Sequence, residues 1–449
     1  MINLKQVLRI GIIQNRKEIS FSLGTGFTLN NQLIGHSIYR AVWKGNYIQI
    51  HGLDGTGIGN AERFYFNGGN GSLFTIKDVT IGVQFHWQRQ EEQTFQGDLE
   101  LIATDSGITL VNHVFIENYL ISVISSEMSA SCPVELLKAH AVISRSWAFA
   151  QLKPKAQSQA ALIDREGEII RWYERDSHKR FDLCADDHCQ RYQGITNIVS
   201  DNAVRAVKET GGYVLVFDGE VCDTRFSKCC GGITEAYANT WESRNVPYLG
   251  SVVDYDHAPA SELIPLTDED KARIWISRKM PAYCNPDTWH NLDRHEVIEQ
   301  ILPSFDQETH DFYRWTVKFT TEELGQIIQQ RSGIDFGRLR TLTPVERGDS
   351  GRIIRLRIEG TKQTIIVGKE LEIRKWLSES HLYSSCFVVD TERDSHGEAK
   401  TFTLHGAGWG HGVGLCQIGA AVMALNGKTY AEILQHYFPG TTLERVVGG

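Results

Sequence analysis

One change of hydrophobic period constrains this chain more than any other feature. Up to about residue 110 apolar residues alternate over short runs, and just beyond they recur at helical spacing. Alternation lines one face of a strand, whereas a period of about 3.6 lines one face of a helix, so the two stretches demand different structures. "LRIGIIQ", "EISFSL", "YIQIHG", "RFYFN" and "GVQFHW" read as strands punctuated by Gly and Asn. "GDLELIATDSGITLVNHV" reads as a hairpin around "TDSG". Tyr119, Leu120, Val123 and Ile124 then form a helical stripe that runs out near Glu127. A second, longer helix is expected after Ser131 and Cys132. Pro133 suits its first turn, where an N–H would lack a partner anyway. Glu135 suits the positive end of its dipole, and Leu137, Ala141 and Ala148 mark its apolar face.

The start, "MINLKQVLRIGII", is followed by no small-residue cleavage pattern and reads as a first strand, not a signal peptide. No apolar run approaches bilayer length. From about 162 to 260 strands and loops return, with "GYVLVFDGEVCDTRF" turning at Asp218-Gly219. "TTEELGQIIQQRSG" has the caps of a short helix. "GRIIRLRIEG" with "QTIIVG" makes another hairpin, "GKELEIRKWLS" a helix, and "SSCFVVDTE" and "KTFTLHGAG" strands. The end breaks into two helical pieces at Asn426-Gly427. Residues 262–314 are polar and mixed and read as an insertion or accessory segment. The sum is an α+β fold in which β dominates.

The formal charge of -9 over 449 residues argues against nucleic acid, because phosphate binding leaves a basic footprint. Nine cysteines cannot all pair internally.

Four stretches offer chemistry. Glu127 is a single acid among small residues, Ser125, Ser126, Ser129, Ala130 and Ser131. At a helix C-terminus it meets the negative end of the dipole, which favours the protonated acid that a glycosidase uses on a leaving oxygen. A solvated helix end would look the same. "HGAGWGHGVGLCQIGAAVMA" combines backbone that can turn sharply with Trp409, a stacking face for a sugar ring, and the imidazole of His411. It lacks the strand–GxGxxG–helix setting of a nucleotide loop. In "HKRFDLCADDHCQRY", His178, Cys184, His188 and Cys189 offer the thiolate and imidazole ligands that suit tetrahedral zinc. A loop with free thiols is the competing reading. In "RFSKCCGGITEAYANTW", adjacent Cys229 and Cys230 are strained partners for one another, and no Cys–His–Asn spacing marks a thiol nucleophile.

Three separated segments, in order, resemble the SpoIID/LytB family of peptidoglycan lytic transglycosylases. They are "IENYLISVISSEMSASCPVELLKAHAVISRSWA", "FSKCCGGITEAYANTWESRNVPYLGSV" and "GAGWGHGVGLCQIGAAVMALNGKTYAEILQHYFPGT". The resemblance covers about 95 to 260 and 315 to 445. It implies a SpoIID-like catalytic region in two parts, 95–261 and 315–449, behind an N-terminal β-rich domain at 1–94. It implies cleavage between MurNAc and GlcNAc of glycan strands with formation of a 1,6-anhydro end, and it places the catalytic acid at Glu127. Some members hold zinc through His and Cys, which implies a structural zinc at His178, Cys184, His188 and Cys189, with none required for the chemistry. Arg145, Ser227, Trp409, His411 and Gln417 fall at motif positions with hydrogen-bonding or stacking capacity, and are expected to hold the strand. Cys132, Cys229, Cys230 and Ser129 depart from the family pattern.

The implied partners are glycan strands and an amidase that strips stem peptides, and the implied place of action is the cell envelope. A glycan-binding or amidase-enhancing protein without catalysis is the alternative reading, and a zinc hydrolase centred on His178 and Cys184 a third.

Overall fold

A computed structural model of the chain describes residues 5–446, apart from 54, 70, 83–87, 154–161, 166, 173–177, 258, 291, 303–305 and 308–310. Within "GVQFHW" everything past Gly82 lies outside the described residues. The chain forms two compact units. Met1–Leu152, Arg175–Val214 and Glu444–Gly449 make the first, and Lys153–Glu174 with Leu215–Leu443 the second.

The first unit holds the strands of the N-terminal third. Val7–Arg16, Gly107–Phe115, Asp98–Thr104 and Arg63–Phe66 lie in one sheet, with Leu183–Cys184 added in parallel at the edge beside Val7–Arg16. A second sheet runs Arg89–Gln96, Leu73–Ile81, Glu18–Leu23, Ser37–Trp43, Ile48–Gly52 and Gly57–Ala61. The stretch from Val7 is thus a strand, as its pattern implies. The boundary expected after residue 94 is absent, because Leu99–Ile102 pairs with Arg63–Phe66 and Val7–Arg16 pairs with Gly107–Phe115. These ladders tie the N-terminal strands to the strands beyond residue 94, so both belong to one unit.

The period change falls where the helices begin. Helix α1 is Ile116–Glu127 and α2 is Val134–Leu152, with Pro133 just before its first residue. Their sides are buried nearly all round, and α2 packs on both α1 and α3, Asp201–Glu209. Lys138 bridges Glu135 and Glu209, at 2.8 and 2.7 Å, which links α2 to α3.

The second unit contains the sheet Leu162–Arg165, Glu168–Arg171, Thr364–Gly368, Ile353–Gly360 and Leu339–Arg347. A three-stranded sheet, Arg314–Thr320, Ala399–Ala407 and Phe387–Arg393, shares a core with it through Trp315, Leu356, Trp376 and Phe402. The helix Thr321–Ser332 has the expected capping box, Thr320 with Glu323, and ends at Gly333 with φ 78°.

Residues 262–314 form an ordered segment. They contain the helices Glu269–Arg278 and Arg294–Ile301, and Trp275 is buried with Ile233, Leu266 and Met280. Trp275 and Arg314 both donate to the Gly231 carbonyl, at 3.3 and 3.0 Å. Lys228 and Asp306 form a buried ion pair at 2.8 Å. Polar composition hid this segment because its buried apolar residues, such as Trp275, Ile276, Trp289 and Ile301, are scattered among charged ones.

Candidate functional site

Strand Gly107–Phe115 runs without a break into α1, so the sheet fixes where the last residue of that helix, Glu127, comes to rest. The residue is only 8% exposed. The backbone N–H of Arg191 donates to Glu127 Oε1 at 2.9 Å. Neighbouring residues stitch the same segment along α1. Tyr119 donates its hydroxyl to Gln190 Oε1 at 3.2 Å, and the Gln193 N–H donates to Ser122 Oγ at 3.2 Å. Tyr192 stacks on Tyr119 and donates to Asn112 Oδ1 at 2.6 Å. Sequence reasoning took up residues 178–192 for their His and Cys alone and missed the hold on Glu127, because the Arg191 N–H carries no residue signature.

The four His and Cys residues converge in the same unit, immediately ahead of this segment. Cys189 Sγ lies 3.4 Å from His178 Nε2 and 3.7 Å from His188 Nδ1, while Cys184 Sγ lies 3.8 Å from His188 Nδ1. All four ligand atoms fall within 4.8 Å of one another. Ligands about 2.0–2.3 Å from a zinc ion at tetrahedral angles stand about 3.4–3.8 Å apart, so the donor set fits that metal. Two features bring them together. Cys184 sits on the edge strand that pairs with Gly11, and Phe181 packs against the bare face of that glycine, where a Cβ would stand 2.5 Å from its ring. The Cys189 thiol beside it, with burial, pushes the Cys184 thiol up to about 11.

A cleft of about 1000 Å³ opens in this unit. His178, Cys184, His188, Arg191 and Gln193 line it, opposite Gly11–Arg16. Glu127 is not on that lining, but Arg191, which holds it, is.

Arg145 does not meet its expectation as a glycan-holding residue. Its side chain is fully buried, paired bidentately with Glu117 at 2.7 and 2.8 Å, and donates to the Tyr213 carbonyl at 3.0 Å. A guanidinium consumed in this way joins α2 to α1 and offers nothing to a ligand.

Ser227, Trp409, His411 and Gln417 belong to the second unit. Phe226–Ser227 pairs in parallel with Leu415–Cys416, and the Ser227 hydroxyl is buried without a partner among the described residues. Trp409 is half-buried. Its backbone bonds Cys229 in both directions, at 3.0 and 2.8 Å, and its ring stands edge-on to Tyr383. His411 lies edge-on to Trp241, and its Nδ1 accepts from the Val413 N–H at 3.0 Å. Burial and the charges of Arg225, Arg352 and Arg374 hold its pKa well below the usual histidine value. Gln417 is buried as the first residue of helix Gln417–Leu425.

The glycine loop is held by a residue the sequence pattern did not single out. Arg352, fully buried, donates to the carbonyls of Gly410 and Cys230, both at 3.2 Å, and to Ser350 Oγ at 3.0 Å. Its only sequence signal is its place just ahead of the run "IIRLRI", where two further arginines make it inconspicuous.

Residues 104–217 match the family model described as stage II sporulation protein, SpoIID, and residues 235–414 match a domain of unknown function, DUF8618. The chain is 24% identical over 336 residues to stage II sporulation protein D of Bacillus amyloliquefaciens, covering 74% of this chain and 75% of that protein. It is 24% identical over 329 residues to the amidase enhancer of Bacillus subtilis, covering 72% of this chain but only 39% of the relative. An uncharacterised protein of Brachyspira hyodysenteriae is 26% identical over 351 residues, 78% of this chain and 72% of the other. These matches support the likeness to the SpoIID/LytB family that the motifs carry.

Proposed function

We propose that the chain is a peptidoglycan lytic transglycosylase acting in the cell envelope, with Glu127 as its general acid and base. The observation that carries this reading is the carboxylate at the end of α1, sunk below the surface and held by a backbone N–H. A carboxyl group fixed in this way can give a proton to a leaving oxygen and take one back. Glu127 would protonate the oxygen between MurNAc and GlcNAc as the C1–O bond breaks. The MurNAc 6-hydroxyl would then attack C1 and return its proton to Glu127, closing the 1,6-anhydro ring. No water is activated, so the second carboxylate of an ordinary glycosidase has no task.

Zinc held by His178, Cys184, His188 and Cys189 would have every position filled by protein, and such closed sites supply folding energy rather than a Lewis acid. Its effect here would be to anchor the loop that leads to Arg191. Trp409 and His411 are proposed to contact glycan by stacking and hydrogen bonding.

The amidase enhancer among the relatives favours a second reading, in which the chain binds glycan and promotes an amidase without cleaving. One assay separates the two. Peptide-free glycan strands are incubated with wild type and Glu127→Gln, and products are weighed by mass spectrometry. Anhydro-ended fragments from wild type, lost by at least about a hundredfold in the variant, are expected from removal of a general acid. Binding by wild type with no fragments, together with stimulation of an added amidase, would sink the first reading in favour of the second.

A further inference from the structure

The second unit contains another convergence of metal-binding groups, apart from the His/Cys cluster. Cys230, Asp254, Cys284 and Cys416 bring three sulfurs and a carboxylate oxygen within 4.8 Å of one another. All four residues are at most 2% exposed. They come from four distant parts of the chain: the Cys229-Cys230 turn, the segment after "VPYLGSVV", the accessory segment, and the end of the glycine loop.

Distance decides what such a group is for. Cys230 and Cys284 place their sulfurs 3.7 Å apart. A disulfide requires about 2.0 Å. Two thiolates bound to one zinc ion at about 2.3 Å and tetrahedral angles stand about 3.8 Å apart. The observed separation matches the edge of that tetrahedron.

The surroundings suit thiolates. The Cys230 N–H points at Cys416 Sγ at 3.3 Å, the Gly232 N–H at Cys230 Sγ at 3.3 Å, and the Gly419 N–H at Cys416 Sγ at 3.4 Å. N–H groups aimed at sulfur stabilise negative charge on it. Cys416 also caps the N-terminus of helix Gln417–Leu425, the positive end of its dipole. The carboxylate is oriented in turn. Asp254 accepts from the Tyr437 hydroxyl at 2.5 Å and from the Cys284 N–H at 3.0 Å. Gly419 leaves it room, since a Cβ there would stand 2.4 Å from Asp254 Oδ1. Bare, the group would be costly, because three thiolates and a carboxylate would share a dry interior without a counter-charge. A divalent cation removes that cost by neutralising the charges it gathers.

We propose that Cys230, Cys284 and Cys416, as thiolates, and Asp254, as a carboxylate, bind a structural zinc ion. The soft sulfur set selects zinc over magnesium or calcium, and four protein ligands in a dry interior leave no position for substrate. The ion clips the accessory segment, through Cys284, to the turn after Ser227 and to the residue before Gln417. Cys229 is outside the convergent set and is assigned no ligand role.

The experiment counts metal. Chain carrying Cys184→Ser and Cys189→Ser, which removes the other cluster, is purified anaerobically and analysed by elemental mass spectrometry. One zinc per chain is expected. Adding Cys284→Ser or Asp254→Asn should cut this at least tenfold, while adding Cys229→Ser should leave it unchanged. Loss of zinc with Cys229→Ser and retention with Asp254→Asn overturns the ligand assignment. Because ligand variants can fail to fold, the parent is also exchanged into cobalt. Thiolate-to-cobalt charge-transfer absorption with tetrahedral visible bands is expected, and its absence overturns the site. So does iron with acid-labile sulfide, or an intact mass that is short by the hydrogens of a disulfide.

Discussion

Glu127, Arg145 and His411 show how much a side chain's role depends on what surrounds it. Glu127 and Arg145 both lie in a helical segment rich in small residues. One ends its helix under a backbone N–H, while the other spends its guanidinium on Glu117 and a carbonyl. No one-dimensional pattern separates these outcomes. His411 carries a pH prediction. Burial and three nearby arginines depress its folded pKa below the unfolded value of about 6.5. The neutral ring's contribution is therefore fully present above pH 6.5 or so. It is lost as pH falls toward the depressed folded value, because the unfolded chain takes up a proton that the folded chain refuses. Thermal unfolding of wild type and His411→Gln should diverge below about pH 6.5, with wild type losing up to about 1.4 kcal/mol more per pH unit. Parallel pH profiles would remove His411 as the cause.

Among elements, the glycine loop is the clearest case of backbone chemistry. Gly408, Gly410, Gly412 and Gly414 all adopt positive φ, between 75° and 98°. At Gly414 the reason is doubled, for a Cβ would also stand 2.1 Å from the Arg225 carbonyl oxygen. Gly414→Ala should cost about 2–4 kcal/mol through strain and overlap together. Chemical denaturation of the variant checks this, and a shift under about 0.5 kcal/mol would mean that the loop relaxes freely. Helices α1 and α2 were legible in the sequence because one stripe and one Pro-Glu start mark them. The accessory segment was not, because its order comes from Trp275, Lys228–Asp306 and Arg314 docking on a turn far away in sequence.

For the whole molecule, two metal clips would act on very different lengths of chain. His178 to Cys189 closes a short loop, whereas Cys230 to Cys416 closes one roughly fifteen times longer. Loop-closure entropy grows with the logarithm of length, so the longer clip should contribute about 2 kcal/mol more. A strong chelator given to a variant that keeps only the second cluster should lower the unfolding midpoint further than in a variant that keeps only the first. An equal or reversed ordering would show that strain or ligand chemistry, not chain entropy, governs the two clips. Metal binding of this kind is folding free energy.

Periodicity was enough to place the β-rich start, the helical pair after residue 115 and the acid at the end of the first helix, because local alternation and capping act over a few residues. Motif order was enough to point to the SpoIID/LytB family. The merging of residues 1–94 with the strands Asp98–Thr104 and Gly107–Phe115, the burial of Arg145, the hold of Arg191 on Glu127 and the meeting of Cys230, Asp254, Cys284 and Cys416 required the fold. Each depends on strand pairing or packing between residues tens to hundreds of positions apart. Such contacts leave no local pattern in the chain, since the entropy they overcome and the partners they find are properties of the closed structure.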